Sequence, residues 1–126
     1  MKRLALLLPL VLCAAGPADA HHGNAQYDME RELVVSGVVK RFEMNGAHGA
    51  IALAPASAPA QTWNIEAPPT QILVRRGWTP DTLKPGERIS IQLHPNRDGS
   101  PGGKTIRIAA ADGREILPEM RWPPRR

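Results

Sequence analysis

Cysteine is almost missing from the sequence, which contains a single one, Cys13, among 126 residues. A lone cysteine excludes an internal disulfide and a zinc site built from cysteine ligands. Aromatic residues are also scarce, at 4% of the chain. Trp63 and Trp78 could offer a stacking platform to a ring-shaped ligand, but so few aromatic rings favour core packing for Trp63. The stability of the protein must therefore come from an ordinary hydrophobic core.

Recognisable catalytic motifs are missing as well. The sequence has no His-Glu-x-x-His motif, no serine in a nucleophile elbow and no paired-carboxylate pattern. The positive charge of the whole chain, +4, is mild and does not indicate a nucleic-acid partner. We therefore expect a protein that is not an enzyme and does not bind nucleic acid. A small copper-dependent oxidase is an alternative.

Residues 1–20 have the layout of a secretory signal peptide. Lys2 and Arg3 form the positively charged start, an apolar run follows, and Ala18-Asp19-Ala20 is the cleavage site. The apolar run has about 10–15 residues, fewer than the roughly 20 that a helix needs to span a bilayer. The sequence thus predicts a periplasmic or secreted protein without a membrane span.

Cleavage after Ala20 removes Cys13 and leaves 106 of the 126 residues, enough for one small domain. The net charge falls from +4 to +3, because two basic residues and one acidic residue leave with the signal. An alternative is anchoring through a lipidated Cys13. Leu12 argues against it, because a lipid-attachment site needs a small residue there.

Alternating apolar and polar residues predict a β-barrel domain of five or six strands over residues 33–117. We expect residues 21–32 to form a polar, irregular lead-in and residues 118–126 an extended basic tail. A short helix over residues 71–76, closed by Gly77, separates the third strand from the fourth. This order of elements is typical of the small barrel that binds oligonucleotides or oligosaccharides, the OB type. A β-sandwich is the alternative.

Three local features bear on the barrel and its surface. Gly37, in the middle of the first strand, predicts a bulge or a sharp bend. His48 begins the second strand, just past an Asn-Gly turn. In the fourth strand His94 alternates with apolar residues and shares a face with Ser90 and Gln92, so we expect it to face water.

Four histidines remain after cleavage, and they are the predicted metal ligands: His21, His22, His48 and His94. An N-terminal histidine offers a metal ion its α-amine and its ring nitrogen. A third nitrogen from His48 or His94 would complete the T-shaped set called a histidine brace. Amine and imidazole ligands suit Cu(II), which has the highest affinity of the divalent ions for such sites. Alternatively, the His-His pair is a solvated terminus and the other two histidines lie at the surface.

The sequence resembles an uncharacterised family of small exported bacterial proteins (domain of unknown function 6152), which carry a His-His pair directly after the signal peptide. The resemblance rests on His21-His22, Gly37-Val38, Asn45 with His48, Trp63, Arg75-Arg76-Gly77-Trp78, Pro85-Gly86 and Pro95-Asn96-Arg97-Asp98-Gly99. It departs from the family at Asn45-Gly46-Ala47-His48, which replaces Asn-Pro-His and carries one extra residue. The resemblance implies export and a small β-domain, and it implies no established activity.

Two functions thus follow from the sequence. The first is an exported binding or accessory protein that holds Cu(II) or another transition metal through the mature N-terminal histidine. The second is a module of the cell envelope that uses no metal and binds a protein or a small ligand.

Overall fold

A computed structural model of the chain describes residues 24–120. The elements in chain order are β1 (Leu33–Glu43), β2 (His48–Pro55), β3 (Trp63–Pro69), α1 (Thr70–Arg75), β4 (Arg88–Pro95), β5 (Gly102–Ala110) and β6 (Glu115–Leu117). The prediction of a mostly β, OB-like fold with one short helix between the third and fourth strands is confirmed. In this part of the chain no helix is long and apolar enough to cross a membrane.

The strands form one sheet in the order β3-β2-β1-β4-β5-β6, and a further pairing between β3 and β5 closes five of them into a barrel. That closing pair is parallel, with Asn64 opposite Gly102 and Glu66 opposite Lys104. The other strand pairs are antiparallel. Closure pairs the backbone N–H and C=O groups that the edge strands of an open sheet would expose.

The expectation of a bulge at Gly37 is wrong. The register of β1 on β2 is regular there, and it shifts between Val39 and Arg41. Gly37 is needed for a different reason, because a Cβ atom added to it would lie 2.1 Å from the carbonyl oxygen of Ala54. The missing side chain therefore allows the two strands to approach each other.

The core fills the inside of the barrel with aliphatic side chains from every strand. Ile91 and Leu93 of β4 are fully buried, as the alternation of that strand predicts. Trp78, after the helix, meets the edge of Phe42 with ring centroids 5.6 Å apart. Trp63 is partly buried and packs against this core, in agreement with the expected role.

The segment before β1 is not merely a polar lead-in, because it is hydrogen-bonded to the end of β4 and to the loop that follows. The backbone N–H of Asp28 donates to the carbonyl oxygen of Pro95 at 2.9 Å, and the N–H of Arg97 donates to that of Gln26 at 2.8 Å. Tyr27 lies between these bonds and is only 3% exposed. The lead-in is thus fixed to the outside of the barrel by a buried aromatic ring.

Candidate functional site

Four polar side chains from four neighbouring strands form a row on the outer face of the barrel, which we call the outer row. It consists of His48, Glu66, Lys104 and His94. Lys104 pairs with His94 on one side and with Glu66 on the other. His48 of β2 joins the row through its side chain, whose Nδ1 lies 3.3 Å from Oε1 of Glu66. Paired residues of neighbouring strands point to the same face of a sheet, and successive residues alternate. Because the residues next to Glu66 and His94 belong to the core, the row faces outward.

Glu66 is the centre of this row, because its two carboxylate oxygens face two different partners. Oε2 accepts a hydrogen bond of 2.8 Å from the phenol of Tyr27. Oε1 lies 3.3 Å from Nδ1 of His48. That second contact is close enough for an ion pair but is not a hydrogen bond. Oε1 is buried and accepts no hydrogen bond from the described residues. Buried acceptors without a partner are rare in folded proteins, which makes this oxygen notable.

The environment of Tyr27 keeps its phenol protonated. Burial is the main cause that raises its pKa from 10.0 to about 12, and the hydrogen bond and the negative charge of Glu66 add to it. A hydrogen bond from Gln26 acts in the opposite direction. Tyr27 is therefore a hydrogen-bond donor to Glu66 across the whole physiological pH range.

The expectation that His94 faces water is wrong, although the residue does point away from the core. It is 8% exposed, because the lead-in covers it. Its Nδ1 lies 2.8 Å from the carbonyl oxygen of Arg31. A carbonyl oxygen only accepts, so Nδ1 carries a proton and donates it. His94 thus helps to hold the lead-in.

Asn24, the first residue that the structure describes, is also next to the outer row. Its side-chain oxygen accepts a hydrogen bond of 2.6 Å from Nζ of Lys104. His21 and His22, two of the four predicted ligands, lie outside the described residues. Among residues 24–120, no three side chains of His, Cys, Asp and Glu come together closely enough to hold a metal ion.

An open groove of about 320 Å³ lies beside the outer row, and we call it the outer groove. Its floor includes Ala50 and Ala52 of β2. Arg41 of β1 and Asn64 of β3 flank Ala52 from opposite sides. His48, Glu66 and Tyr27 close one end.

A second groove, of about 720 Å³, is formed by a different set of residues. Its lining is rich in small side chains and includes Ser36, Ser90 and Arg88. Neither His48 nor His94, the two predicted ligands that the structure describes, belongs to it.

Two members of the site could not be recognised from the sequence, namely Tyr27 and Glu66. They are 39 residues apart, and no spacing rule connects them. The alternation of β3 does place Glu66 outside the barrel, next to the inward Ile65. The only available signal for Tyr27 was a single aromatic residue in an otherwise polar stretch.

The fold and the site define a class of small OB-like barrel whose N-terminal segment is docked on its outer face, beside histidine and carboxylate side chains. The sequence matches a family of unknown function (DUF6152) over residues 8–105, and the protein belongs to this family. No match was found among the curated proteins.

Proposed function

We propose that this protein is an exported accessory protein, not an enzyme, that binds Cu(II) through the α-amine and ring of His21 together with His48. The observation that carries the proposal is the docked lead-in. Tyr27 is hydrogen-bonded to Glu66, which contacts His48, and Asn24 is hydrogen-bonded to Lys104. The chain therefore returns to the outer row shortly after the proposed new terminus.

The length of the chain supports this reach. Two residues, His22 and Gly23, lie between His21 and Asn24, and an extended chain covers about 10 Å over these three Cα–Cα steps. Neighbouring strands are about 4.8 Å apart, and β2 lies two strand spacings from β5. His48 is also displaced along the strands, because it pairs with Pro69 whereas Lys104 pairs with Glu66. The proposal requires the three residues before Asn24 to extend towards His48.

The proposed donor set suits such an ion in its chemistry, and His48 is its member among the described residues. An imidazole and a terminal amine are nitrogen donors that Cu(II) prefers, and a carboxylate beside them offsets positive charge. His48 suits the third position better than His94, because the side chain of His48 is 40% exposed whereas His94 is only 8% exposed. His22 and His94 are kept as the other candidate ligands. In this scheme the barrel offers an incomplete site that only the processed terminus completes.

The test compares protein that begins at His21 with protein that carries three extra residues before it. Three are needed, because one or two would place a histidine at position three, where it forms another chelate with the amine. We expect the extension and His48→Ala each to weaken Cu(II) binding at least tenfold in a competition titration. Arg88→Gln, in the second groove, is the matched control and should bind as the unchanged protein does. Equal affinity of the extended and unextended proteins would refute the proposal.

The alternative function, an envelope module that uses no metal, is favoured by the outer groove. The guanidinium of Arg41 and the amide of Asn64 flank its alanine floor, which suits a small ligand with a carboxylate. Titration of the metal-free protein with succinate, followed by NMR, tests this function. Shifts confined to the groove and lost in Arg41→Gln would support it, and an unchanged spectrum would count against it.

A further inference from the structure

We infer that Glu66, held by Tyr27, positions His48 so that a metal ion binds the ring through Nε2. This inference rests on the proposed copper site and adds two residues to it. Both residues act through His48 and are positioning residues, since neither needs to touch the metal ion.

The carboxylate of Glu66 has little freedom to turn away from His48. Its Oε2 is fixed by the 2.8 Å hydrogen bond from the phenol of Tyr27. The ring of Tyr27 is itself buried, and backbone hydrogen bonds on both sides fix it to the barrel. Oε1 is thereby directed at the imidazole, 3.3 Å from Nδ1.

The protonation of the His48 ring follows from this contact. A carboxylate oxygen at neutral pH only accepts hydrogen bonds, so the neighbouring Nδ1 must carry the proton if the two are to bond. Nε2 then has the free lone pair that a metal ion requires. A histidine ligand whose other nitrogen donates to a carboxylate is a common arrangement in metal sites, where the carboxylate fixes the tautomer and the ring orientation.

The missing hydrogen bond of Oε1 favours one orientation of the His48 ring. A buried acceptor without a hydrogen bond is unfavourable, and Oε1 of Glu66 is such an atom. A small turn of the His48 ring aligns Nδ1–H with it and satisfies the acceptor. A metal ion on Nε2 that holds the ring in that orientation therefore also completes this hydrogen bond.

The experiment is Glu66→Gln in protein that begins at His21, with Glu43→Gln as the matched control. Glu43 is the mirror position, because Glu43 and Glu66 pair with Ala50 from its two sides. Both variants remove one negative charge near the groove, but only Glu66 contacts His48. We expect Glu66→Gln to weaken Cu(II) binding by about 10- to 100-fold, as the loss of a hydrogen-bond partner of a metal ligand does. Glu43→Gln should change it less than twofold.

A spectroscopic measurement separates positioning from simple loss of charge. Pulsed electron paramagnetic resonance of the Cu(II) protein detects the ring nitrogen that is not bound to copper, and its quadrupole coupling depends on its hydrogen bond. We expect this coupling to change in Glu66→Gln and, to a smaller degree, in Tyr27→Phe, which keeps the buried ring. Glu43→Gln should leave it unchanged.

The results distinguish this inference from the proposed function. If the N-terminal extension and His48→Ala weaken binding while Glu66→Gln matches Glu43→Gln in both measurements, the positioning role is refuted and the copper site stands. If the extension and His48→Ala have no effect, the copper site itself is refuted. Circular dichroism of each metal-free variant establishes whether it is folded. If the Glu66→Gln protein does not fold, the Tyr27→Phe protein supplies the spectroscopic test.

Discussion

The larger of the two grooves of the barrel has the less reactive lining. The second groove is the larger, at about 720 Å³ against about 320 Å³ for the outer groove. Its serines satisfy one another, since the hydroxyls of Ser36 and Ser90 are 3.0 Å apart. The outer groove, in contrast, contains a buried carboxylate oxygen without a hydrogen bond. Volume alone would select the second groove, whereas the proposed metal site lies beside the outer groove.

The origin of the second groove explains its lack of suitable ligands. It lies where Gly37 brings β1 close to Ala54 of β2, and small side chains dominate its lining. The outer groove has small residues only on its floor, and longer side chains from both neighbouring strands surround them. A second layer of chain, the lead-in, then adds Tyr27 to one end. The second groove is thus a gap left by strand packing, whereas the outer groove is a surface on which polar groups converge.

The largest expected effect comes from Tyr27→Ala, which removes the ring that fixes the lead-in. Truncation of a buried aromatic residue leaves a cavity, and the orphaned Oε2 of Glu66 adds to the cost, so we expect a loss of about 3 kcal/mol in the free energy of unfolding. Urea denaturation measures this quantity. Ser36→Ala, in the second groove, should change it by less than about 1 kcal/mol because that serine is exposed. Equal losses in the two variants would contradict the contrast between the grooves.

A smaller effect is expected from His94→Ala. The variant loses the hydrogen bond from His94 to the carbonyl oxygen of Arg31 and the packing of a ring that is only 8% exposed, at a cost of about 1–2 kcal/mol. Hydrogen exchange should also become faster at the backbone N–H of Asp28, which is bonded to Pro95. Unchanged protection at Asp28 would show that His94 does not hold the lead-in.

The smallest effect is a dependence of stability on alkaline pH. The pKa of Tyr27 is raised from 10.0 to about 12, so above pH 10 the folded protein retains a proton that the unfolded chain loses. Stability from this group is complete below pH 10 and is lost as the pH rises towards 12, by about 1–2 kcal/mol. Tyr27→Phe has no phenol to titrate. The difference in stability between the two proteins should therefore vary with pH in this range, and a constant difference would contradict the predicted pKa.

The strands were predictable from the sequence because alternate residues of a strand are buried in the core, which produces alternating apolar and polar residues. The first strand begins at Leu33 and the last ends at Leu117, which are the limits that the sequence predicts for the strands. The short helix before Gly77 was also predictable, and it is displaced by one residue from the expected range. These elements depend on local patterns of side chains, which a sequence displays directly.

The site was less predictable, because contacts between distant residues create it. The fourth strand alternates correctly, yet a second layer of chain covers His94, and no pattern within a single strand reveals such a layer. The link from Tyr27 through Glu66 to His48 joins three separate segments. Whether His21 and His22 take part is a prediction that the described residues do not test.

The lead-in has a consequence for the order in which the protein can fold. Its partners lie far along the chain, since the guanidinium of Arg97 donates to the carbonyl oxygen of Tyr27 across 70 residues. Contacts of such high sequence separation form late, after the loop between them has been closed by other interactions. The parallel pairing of β3 with β5 must also wait for residue 102. Docking of the N-terminal segment therefore reports that the barrel behind it is nearly complete, and a partly made or misfolded chain would lack the outer row in its assembled form.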